Sequence, residues 1–273
     1  MLVINLVVKR WACLLLPSLL AACATVAPSV DSVDAEPEVA NTDISWVAPT
    51  RGEGSSVNWQ ARTFPGKQST VYRTLKMDGR EVCEGKSSNS ASMLRQTIRV
   101  EAADLAQLRF SWKVPGLIAG ADMTQRETDD SPVRVILAFD GDRSKFSAKN
   151  AMLSELAHTL TGEPMPYATL MYVWGNKSEA ETVIINPRTD RIRKLIVESG
   201  PKGLNHWLDY ERDIRADYLK AFGEEPGALV GIGIMTDSDN TRQQALGWYG
   251  PVTLAKAPVT LASETKTSTP GAR

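Results

Sequence analysis

The sequence predicts a mainly β protein, folded as an antiparallel β-sandwich of the jelly-roll type with two short helical excursions. Three observations lead to this fold class. About nine or ten segments have the composition and spacing of β-strands, against two helical patterns. Residues 107–114, QLRFSWKV, alternate between apolar and polar side chains without a break. The chain shows no fixed-period repeat and no long alternation of strands with helices.

The strand candidates are recognised one after another along the chain. Residues 70–85 predict a hairpin, because Asp78 and Gly79 supply the positive φ angles of a tight turn. The alternation in residues 107–114 is typical of a half-buried strand. Further strands are expected where β-branched and aromatic residues lie between Gly, Pro and Asp. These are residues 132–141, 167–175, 193–200, 228–235 and 248–254.

The first helix is expected over residues 147–160. Ser147 has the side chain of an N-cap residue, because its hydroxyl can accept from an amide of the first turn. Apolar residues follow at helical spacing, namely Met152, Leu156 and Leu160.

The second helix is expected over residues 212–223 and ends at Gly223. Asp213 and Asp217 lie near its start, where capping and the helix dipole stabilise a carboxylate without any chemical role. One face is expected to pack on the sheet and consists of Ile214, Tyr218 and Phe222.

The N-terminus has the pattern of a lipoprotein signal peptide, predicted over residues 1–22. Lys9 and Arg10 precede ten mostly apolar residues, which are too few to span a bilayer. The next four residues, LAAC, have the form of a bacterial lipobox and end at Cys23. Cys23 is therefore the predicted lipidation site. An ordinary secretory signal is the alternative.

Composition divides the rest of the chain into three segments. Residues 23–48 contain five acids and no basic residue, which indicates a disordered acidic tether. Residues 49–256 form the predicted β-sandwich domain. Residues 257–273 are rich in Thr, Ser, Ala and Pro and are expected to be a disordered tail.

Charge and the lipobox set the expected partners and location. The net charge is -1, so no overall field favours nucleic acid, and no nucleic-acid partner is expected. The membrane is the expected partner, through the lipid anchor. Ala24 stands where an aspartate commonly retains such lipoproteins in the inner membrane, so the periplasmic face of the outer membrane is expected.

Few residues could form a metal or nucleophilic centre. A structural zinc site needs four Cys or His ligands at paired spacings, and these are absent from the sequence. Cys83 has no partner for a disulfide and is expected to be a buried, inert thiol. His158 is expected at a helix surface. His206 lies near Asp209, which leaves an acid–base pair open as an alternative.

Carboxylates are more numerous and lie at the ends of predicted strands and helices. Two of them flanking a cleft would suit cleavage of a glycoside. The structural interpretation is that most of these carboxylates cap turns and helices. The candidates are Asp129, Asp130, Asp140, Asp142, Asp213, Asp217, Asp237 and Asp239.

The segment TDSDNT places Asp237, Asp239 and Asn240 in one loop between two predicted strands. Their oxygens could serve calcium, but the glycine and the terminal glutamate of a helix-flanked calcium loop are missing. We expect these side chains to bond backbone amides in an ordered turn, with calcium as the alternative and no other cofactor. At the start of the following terminal strand, Gly247 and Gly250 are expected to allow a bend or a close backbone approach.

Four ordered sequence blocks together resemble the bacterial family called domain of unknown function 3047. The blocks are DDSPVRVILAFDGD, TLMYVWGN, the stretch from ESGP to KAFGEEP, and the stretch from GIGIMTDSDNT to ALGWYGPVTL. The resemblance covers roughly residues 55–255 and implies a secreted or envelope protein without an assigned activity. It maps the family's acidic loop onto Asp237, Asp239, Asn240 and Thr241, and its Arg-Asp helix entry onto Arg212, Asp213 and Asp217.

The leading functional hypothesis is a non-catalytic envelope lipoprotein whose sandwich binds a ligand such as a glycan. Aromatic faces and hydrogen-bonding side chains would provide such a site. The alternatives are a carbohydrate-active hydrolase with paired carboxylates and a structural protein that docks to another envelope protein. The catalytic residues are unknown. The predicted ligand-binding residues are Trp174, Arg212, Asp237, Asp239, Asn240 and Tyr249.

We expect Cys23→Ser to release the protein from the membrane or to block its maturation. Stable anchoring needs two or more acyl chains, and Cys23 is where they would be attached. Detergent partitioning of the wild type and the variant measures the effect, with Cys83→Ser as the control. Equal partitioning of wild type and Cys23→Ser would contradict the lipid anchor.

Overall fold

Two β-sheets pack face to face in residues 59–254, the part of the chain that the computed structural model describes. The predicted domain, 49–256, encloses these residues, whereas the predicted signal peptide (1–22), tether (23–48) and tail (257–273) lie outside them. The helices are α1 (Ala148–Thr161) and α2 (Ile214–Phe222). The strands are β1 (Gln60–Thr63), β2 (Val71–Met77), β3 (Arg80–Ser88), β4 (Ala91–Val100), β5 (Gln107–Lys113), β6 (Ser131–Phe139), β7 (Ala168–Gly175), β8 (Val183–Ile185), β9 (Ile192–Ser199), β10 (Leu208–Asp213), β11 (Leu229–Asp237), β12 (Gln244–Tyr249) and β13 (Thr253–Leu254).

The first sheet has seven strands in the order β1-β4-β11-β6-β7-β9-β8. The second has the order β10-β5-β12-β3-β2, with β13 also paired to β5. Neighbouring strands are antiparallel except β7 and β9, which are parallel. The predicted fold class, a mainly β antiparallel sandwich with two helices, is confirmed.

The core lies between the two sheets and is built around large aromatic rings. Phe110 and Trp112 project from β5 toward Tyr172 and Trp174 of β7. The rings of Phe110 and Tyr172 stack with centroids 5.5 Å apart, and those of Trp112 and Trp174 lie 6.5 Å apart. Losing one such ring costs about 3–5 kcal/mol in a packed core. These contacts therefore hold the sheets together.

Tyr249 joins the two sheets through hydrogen bonds. It lies at the end of β12, is fully buried, and its hydroxyl donates to the carbonyl of Met235 in β11 at 2.6 Å. The same oxygen accepts from the backbone amide of Arg134 in β6 at 3.3 Å. Tyr249 was predicted to bind ligand. The structure instead places it in the core, where it offers no surface to a ligand.

The predicted local features of the hairpin and helices are confirmed. Asp78 and Gly79 have φ angles of 50° and 74° in the turn between β2 and β3. Ser147 caps α1 by accepting from the amide of Asn150. Asp213 caps α2 by accepting from the amide of Ala216 at 2.9 Å, and Gly223 ends that helix with a φ of 70°.

Helix α1 presents its apolar residues to solvent. Met152, Leu156 and Leu160 are 63%, 51% and 57% exposed. Its buried residues are polar, Asn150 and Ser154, and they bond to neighbouring loops. None of the helices in residues 59–254 is both long and apolar enough to cross a membrane.

The glycines of β11 and β12 have different surroundings. A side chain at Gly231 would meet only ordinary contacts, the nearest at 3.5 Å. A Cβ at Gly247 would lie 2.4 Å from Val133 Cγ1 and 2.8 Å from the Pro132 carbonyl, which confirms the predicted close approach there. Gly231 and Gly233 of β11 line the face of the seven-stranded sheet that turns away from the core.

We expect Gly247→Ala to lower the free energy of unfolding by about 1–3 kcal/mol, because the methyl group would force β12 away from β6. Gly231→Ala is the matched control and should change stability by less than about 1 kcal/mol. Chemical denaturation of both variants measures the difference. Equal stability of the two variants would contradict this packing.

Candidate functional site

The face of the seven-stranded sheet that turns away from the core forms the floor of a cleft of about 690 Å³. Side chains alternate along a strand, so residues next to the core residues point into this cleft. Gly231 and Ala138 pair across β11 and β6. Because both residues are small, no side chain fills the cleft above them. The larger apolar floor residues are Met93, Ile136, Met171, Ile192 and Met235, and the charged residues Arg95, Arg134 and Lys194 lie on the same face.

Loops and the end of α1 complete the walls. Leu160 of α1 and the following Met165 and Pro166 contribute apolar atoms. Phe64 is the one aromatic residue among those that line the cleft in the described part of the chain. The polar and charged wall residues are Lys67, Asn186, Arg188, Asp239 and Asn240.

A buried cluster of four charges lies within the cleft lining. Arg134 donates to both carboxylate oxygens of Asp237, at 2.7 Å and 2.9 Å, and to Asp129 Oδ1 at 3.3 Å. Lys194 donates to Asp129 Oδ2 at 2.6 Å. All four side chains are less than a tenth exposed. We call Arg134, Asp237, Asp129 and Lys194 the ion cluster.

Burial and mutual attraction oppose each other in the ion cluster. Burial works against the charge of Arg134, but Asp237 and Asp129 outweigh it and hold the pKa of Arg134 above its ordinary value. Burial raises the pKa of Asp237 to about 7, against the opposing effect of Arg134. Burial and the nearby Arg134 lower the pKa of Lys194 to about 8. Each group therefore depends on its partners for its charged form.

The acidic loop is an ordered turn held by a further aspartate. Asp130 accepts from the amides of Asn240 and Thr241, at 3.2 Å and 2.7 Å, and from the Thr241 hydroxyl at 2.7 Å. The Asn240 side-chain amide donates to the carbonyl of Arg126 at 2.7 Å. The loop thus bonds amides through Asp130, and Asp237 both accepts from the backbone amide of Ser131 at 3.3 Å and pairs with the Arg134 side chain.

One carboxylate oxygen from each of Asp130, Asp237 and Asp239 lies within 4.8 Å of the others. Two of these charges already have cationic partners in the protein, since Arg134 pairs with Asp237 and Lys67 with Asp239. The donor set is the hard-oxygen type that suits calcium. Arg134 and Lys67 thus offset the negative charges of Asp237 and Asp239, which a bound calcium ion would otherwise offset.

Of the six predicted ligand-binding residues, the structure brings together only Asp237, Asp239 and Asn240 in the cleft lining. Trp174 is fully buried, and its indole N–H donates to the carbonyl of Gly200. Arg212 lies elsewhere and bonds Asp217 and Glu181. Trp174 is thus corrected to a core residue, and Arg212 to an ion-paired residue outside the cleft.

The other candidate residues also have contacts or positions that indicate a structural role. Asp142 accepts from the hydroxyl and from the backbone amide of Ser144, and these two bonds lower the pKa of Asp142. Cys83 is buried as expected, and burial raises the pKa of its thiol. His158 and His206 do not line the cleft.

Sequence reasoning missed the basic half of the ion cluster and the methionines of the floor. Arg134 is the one charged residue of β6, whereas Lys194 directly follows Arg193 in β9. A buried charge needs a partner, so the isolated Arg134 in a largely apolar strand is a detectable signal. Met93, Met171 and Met235 carried no such signal, because methionine is equally suited to a core.

The fold defines the chain as a β-sandwich domain with a cleft on one sheet face. The chain belongs to the family described as protein of unknown function (DUF3047), which matches residues 57–253. The resemblance found in the sequence is confirmed. No curated protein matches the chain in sequence.

The solved structures that are similar to it include two at low sequence identity. One is the xyloglucanase domain of NopAA, a type three effector from Sinorhizobium fredii, in complex with cellobiose, at 10% identity, a TM-score of 0.38, and coverage of 75% of this chain and 96% of that chain. The other is the family 11 xylanase from Neocallimastix patriciarum, at 5% identity, a TM-score of 0.31, and coverage of 73% and 100%. Neither likeness bears on function.

We expect calcium to leave the melting temperature unchanged relative to chelator, because Lys67 and Arg134 already balance the loop carboxylates. Asp239→Ala should lower stability by no more than about 1 kcal/mol, since Lys67 is partly exposed. Asp209→Ala, which breaks an exposed pair with Arg80, is the control.

Thermal melts with millimolar calcium and with chelator provide the measurement. A rise in melting temperature with calcium that Asp239→Ala abolishes would show that the loop is a calcium site.

Proposed function

We propose that this domain is the non-catalytic, ligand-binding part of a lipid-anchored envelope protein, and that its ligand lies in the cleft of the seven-stranded sheet. The observation that carries the proposal is an apolar cleft of about 690 Å³ on a sheet face that antiparallel sandwiches normally leave to solvent. Ligand sites have volumes of about 300–1,000 Å³ with apolar walls and a few polar groups. The cleft has both properties.

The carboxylates of the cleft support binding over hydrolysis. A glycosidase needs one carboxyl free to donate a proton and a second free to act as base or nucleophile. In the cleft, Asp129 pairs with Lys194, Asp237 with Arg134, and Asp239 with Lys67. The raised pKa of Asp237 is the one feature that favours the hydrolase, and the two bonds from Arg134 occupy that carboxylate.

A glycan is the second candidate ligand, and it fits the cleft less well. Sugar rings stack on exposed aromatic faces, and Phe64 is the single aromatic residue of the described lining. Trp207 and Trp248 are partly exposed, but neither lines the cleft, and their indole N–H groups bond Asp78 and Glu84. The proposed ligand is therefore apolar.

The anchor and the location of the protein are part of the same proposal. Cys23 and the residues around it lie outside the described part of the chain, so sequence alone supports them. Lipidation would hold the domain at the periplasmic face of the outer membrane. An envelope protein could also dock on the exposed residues Met152 and Leu156, which is the third candidate function.

We expect Ala138→Phe to weaken binding of an apolar ligand at least about tenfold, because the added ring would occupy the space of the cleft above Ala138 and Gly231. The probe is N-phenyl-1-naphthylamine, a neutral fluorophore that brightens in apolar sites. Ala103→Phe makes the same change at an exposed position away from the cleft and should bind like the wild type.

Fluorescence titration measures the affinity, and a thermal melt checks that each variant is folded. If Ala138→Phe melts like the wild type and still binds the probe equally well, the cleft is not the binding site.

A further inference from the structure

We propose that the cleft takes the long acyl chain of an anionic amphiphile, such as a fatty acid, with the charged headgroup at Arg188. This inference rests on the proposed ligand-binding function and names the class of ligand. It follows from four observations on the cleft, namely the chemistry of its walls, its length, the exposed apolar residues beside it and the charge at its rim.

The walls suit a flexible hydrocarbon chain. Apart from Phe64, the apolar residues of the floor and walls are aliphatic, and Met93, Met165, Met171 and Met235 are unbranched and flexible. Methionine side chains adapt to ligands of varied shape and are common at such surfaces. A rigid, polar ligand would need fixed hydrogen-bonding groups along the walls. A linear chain needs only apolar contact.

The length of the floor also fits. Five neighbouring strands contribute floor residues, β4, β11, β6, β7 and β9. Strands lie about 4.8 Å apart, so the floor extends for about 19 Å. One acyl chain in a membrane spans one leaflet, which is half of a hydrocarbon core of about 30 Å, or about 15 Å. An extended acyl chain can therefore lie across the floor.

The exposed stripe of α1 adjoins the cleft. Leu160 belongs both to this stripe and to the cleft lining, and Met152 and Leu156 continue it along the helix. The orientation of α1 is fixed by its polar side, where Asn150 bonds Asp190 and Thr189. An apolar path thus leads over the helix to the cleft, as expected when the ligand arrives from a membrane rather than from water.

The charge at the rim selects an anionic headgroup. Five basic residues line the cleft against three acidic ones. Lys194, Arg134 and Lys67 pair with those three acids, and Arg95 pairs with Glu163 outside the lining. Among the residues that the structure describes, Arg188 makes a hydrogen bond only through its backbone amide, to Asn186. Its guanidinium is therefore the charge left for a ligand.

The test uses the full chain with Cys23→Ser, so that no lipid of its own competes. The probe is cis-parinaric acid, a fluorescent fatty acid, with its methyl ester as the neutral counterpart and hexadecanoate and cellohexaose as competitors. We expect the acid to bind, hexadecanoate but not cellohexaose to displace it, and Ala138→Phe to weaken binding at least about tenfold. Ala103→Phe should have no effect.

Arg188→Gln separates the headgroup from the chain. It should weaken binding of the acid by about twofold to fivefold, the range of an exposed ion pair, and leave the methyl ester unchanged. Arg215→Gln removes the same charge at an exposed residue that does not line the cleft, and should change neither ligand.

Each contrary result has a distinct meaning. If the acid does not bind while N-phenyl-1-naphthylamine still binds in the cleft, the acyl ligand is wrong and the ligand-binding function stands. If neither binds, both proposals fail. Binding of the acid that Ala138→Phe does not weaken, or an Arg188→Gln effect that is equal for acid and ester, would also overturn the inference.

Discussion

The pair of Arg134 with Asp237 is the interaction on which the site depends. A guanidinium on a strand inside a sheet cannot remain buried without a partner, because removing one member of such a pair typically costs about 3–5 kcal/mol. Arg134 meets this need by joining three segments, since it lies on β6 and bonds Asp237 at the end of β11 and Asp129 in the loop before β6. Lys194 brings in β9 through the same Asp129. The acidic loop, the cleft and the ends of these strands are thereby fixed relative to one another.

The second constraint is that the seven-stranded sheet carries large apolar side chains on the face turned away from the core as well as on the core face. An antiparallel sheet usually covers its core on one side and meets water on the other. Here the core side carries residues such as Leu170 and Tyr172 of β7, and the other side carries Thr169 and Met171 of the same strand. An apolar face opposite the core needs something to cover it. The uncovered part of this face forms the floor of the cleft.

The features that could be predicted from sequence are those decided by neighbouring residues. The turn at Asp78 and Gly79 and the cap at Asp213 follow from side chains a few positions apart, and both are present. The sandwich itself followed from alternation and from the scarcity of helical patterns. Local chemistry was therefore a sufficient guide to the elements and to the fold class.

The site could not be predicted in the same way, because it depends on which face of a strand is turned to the core. In β7 both faces are largely apolar, so alternation leaves open whether Trp174 or Met171 meets the ligand. Pairing at long range was also hidden, as with Lys67 and Asp239, which lie 172 positions apart. Aromatic residues were expected at the ligand surface because they bind sugars. They lie in the core between the two sheets instead, because burying large rings stabilises the sandwich more than exposing them would.

The composition of the ion cluster is compatible with an apolar ligand above it. Two positive and two negative side chains make up the cluster, so its formal charge is zero. An apolar ligand that excludes water would lower the local dielectric constant, which strengthens each pair but would penalise any net charge. Because the charges balance, the attraction within the pairs can offset the loss of water. A ligand in the cleft is thus compatible with the contacts that fix β6, β9 and β11.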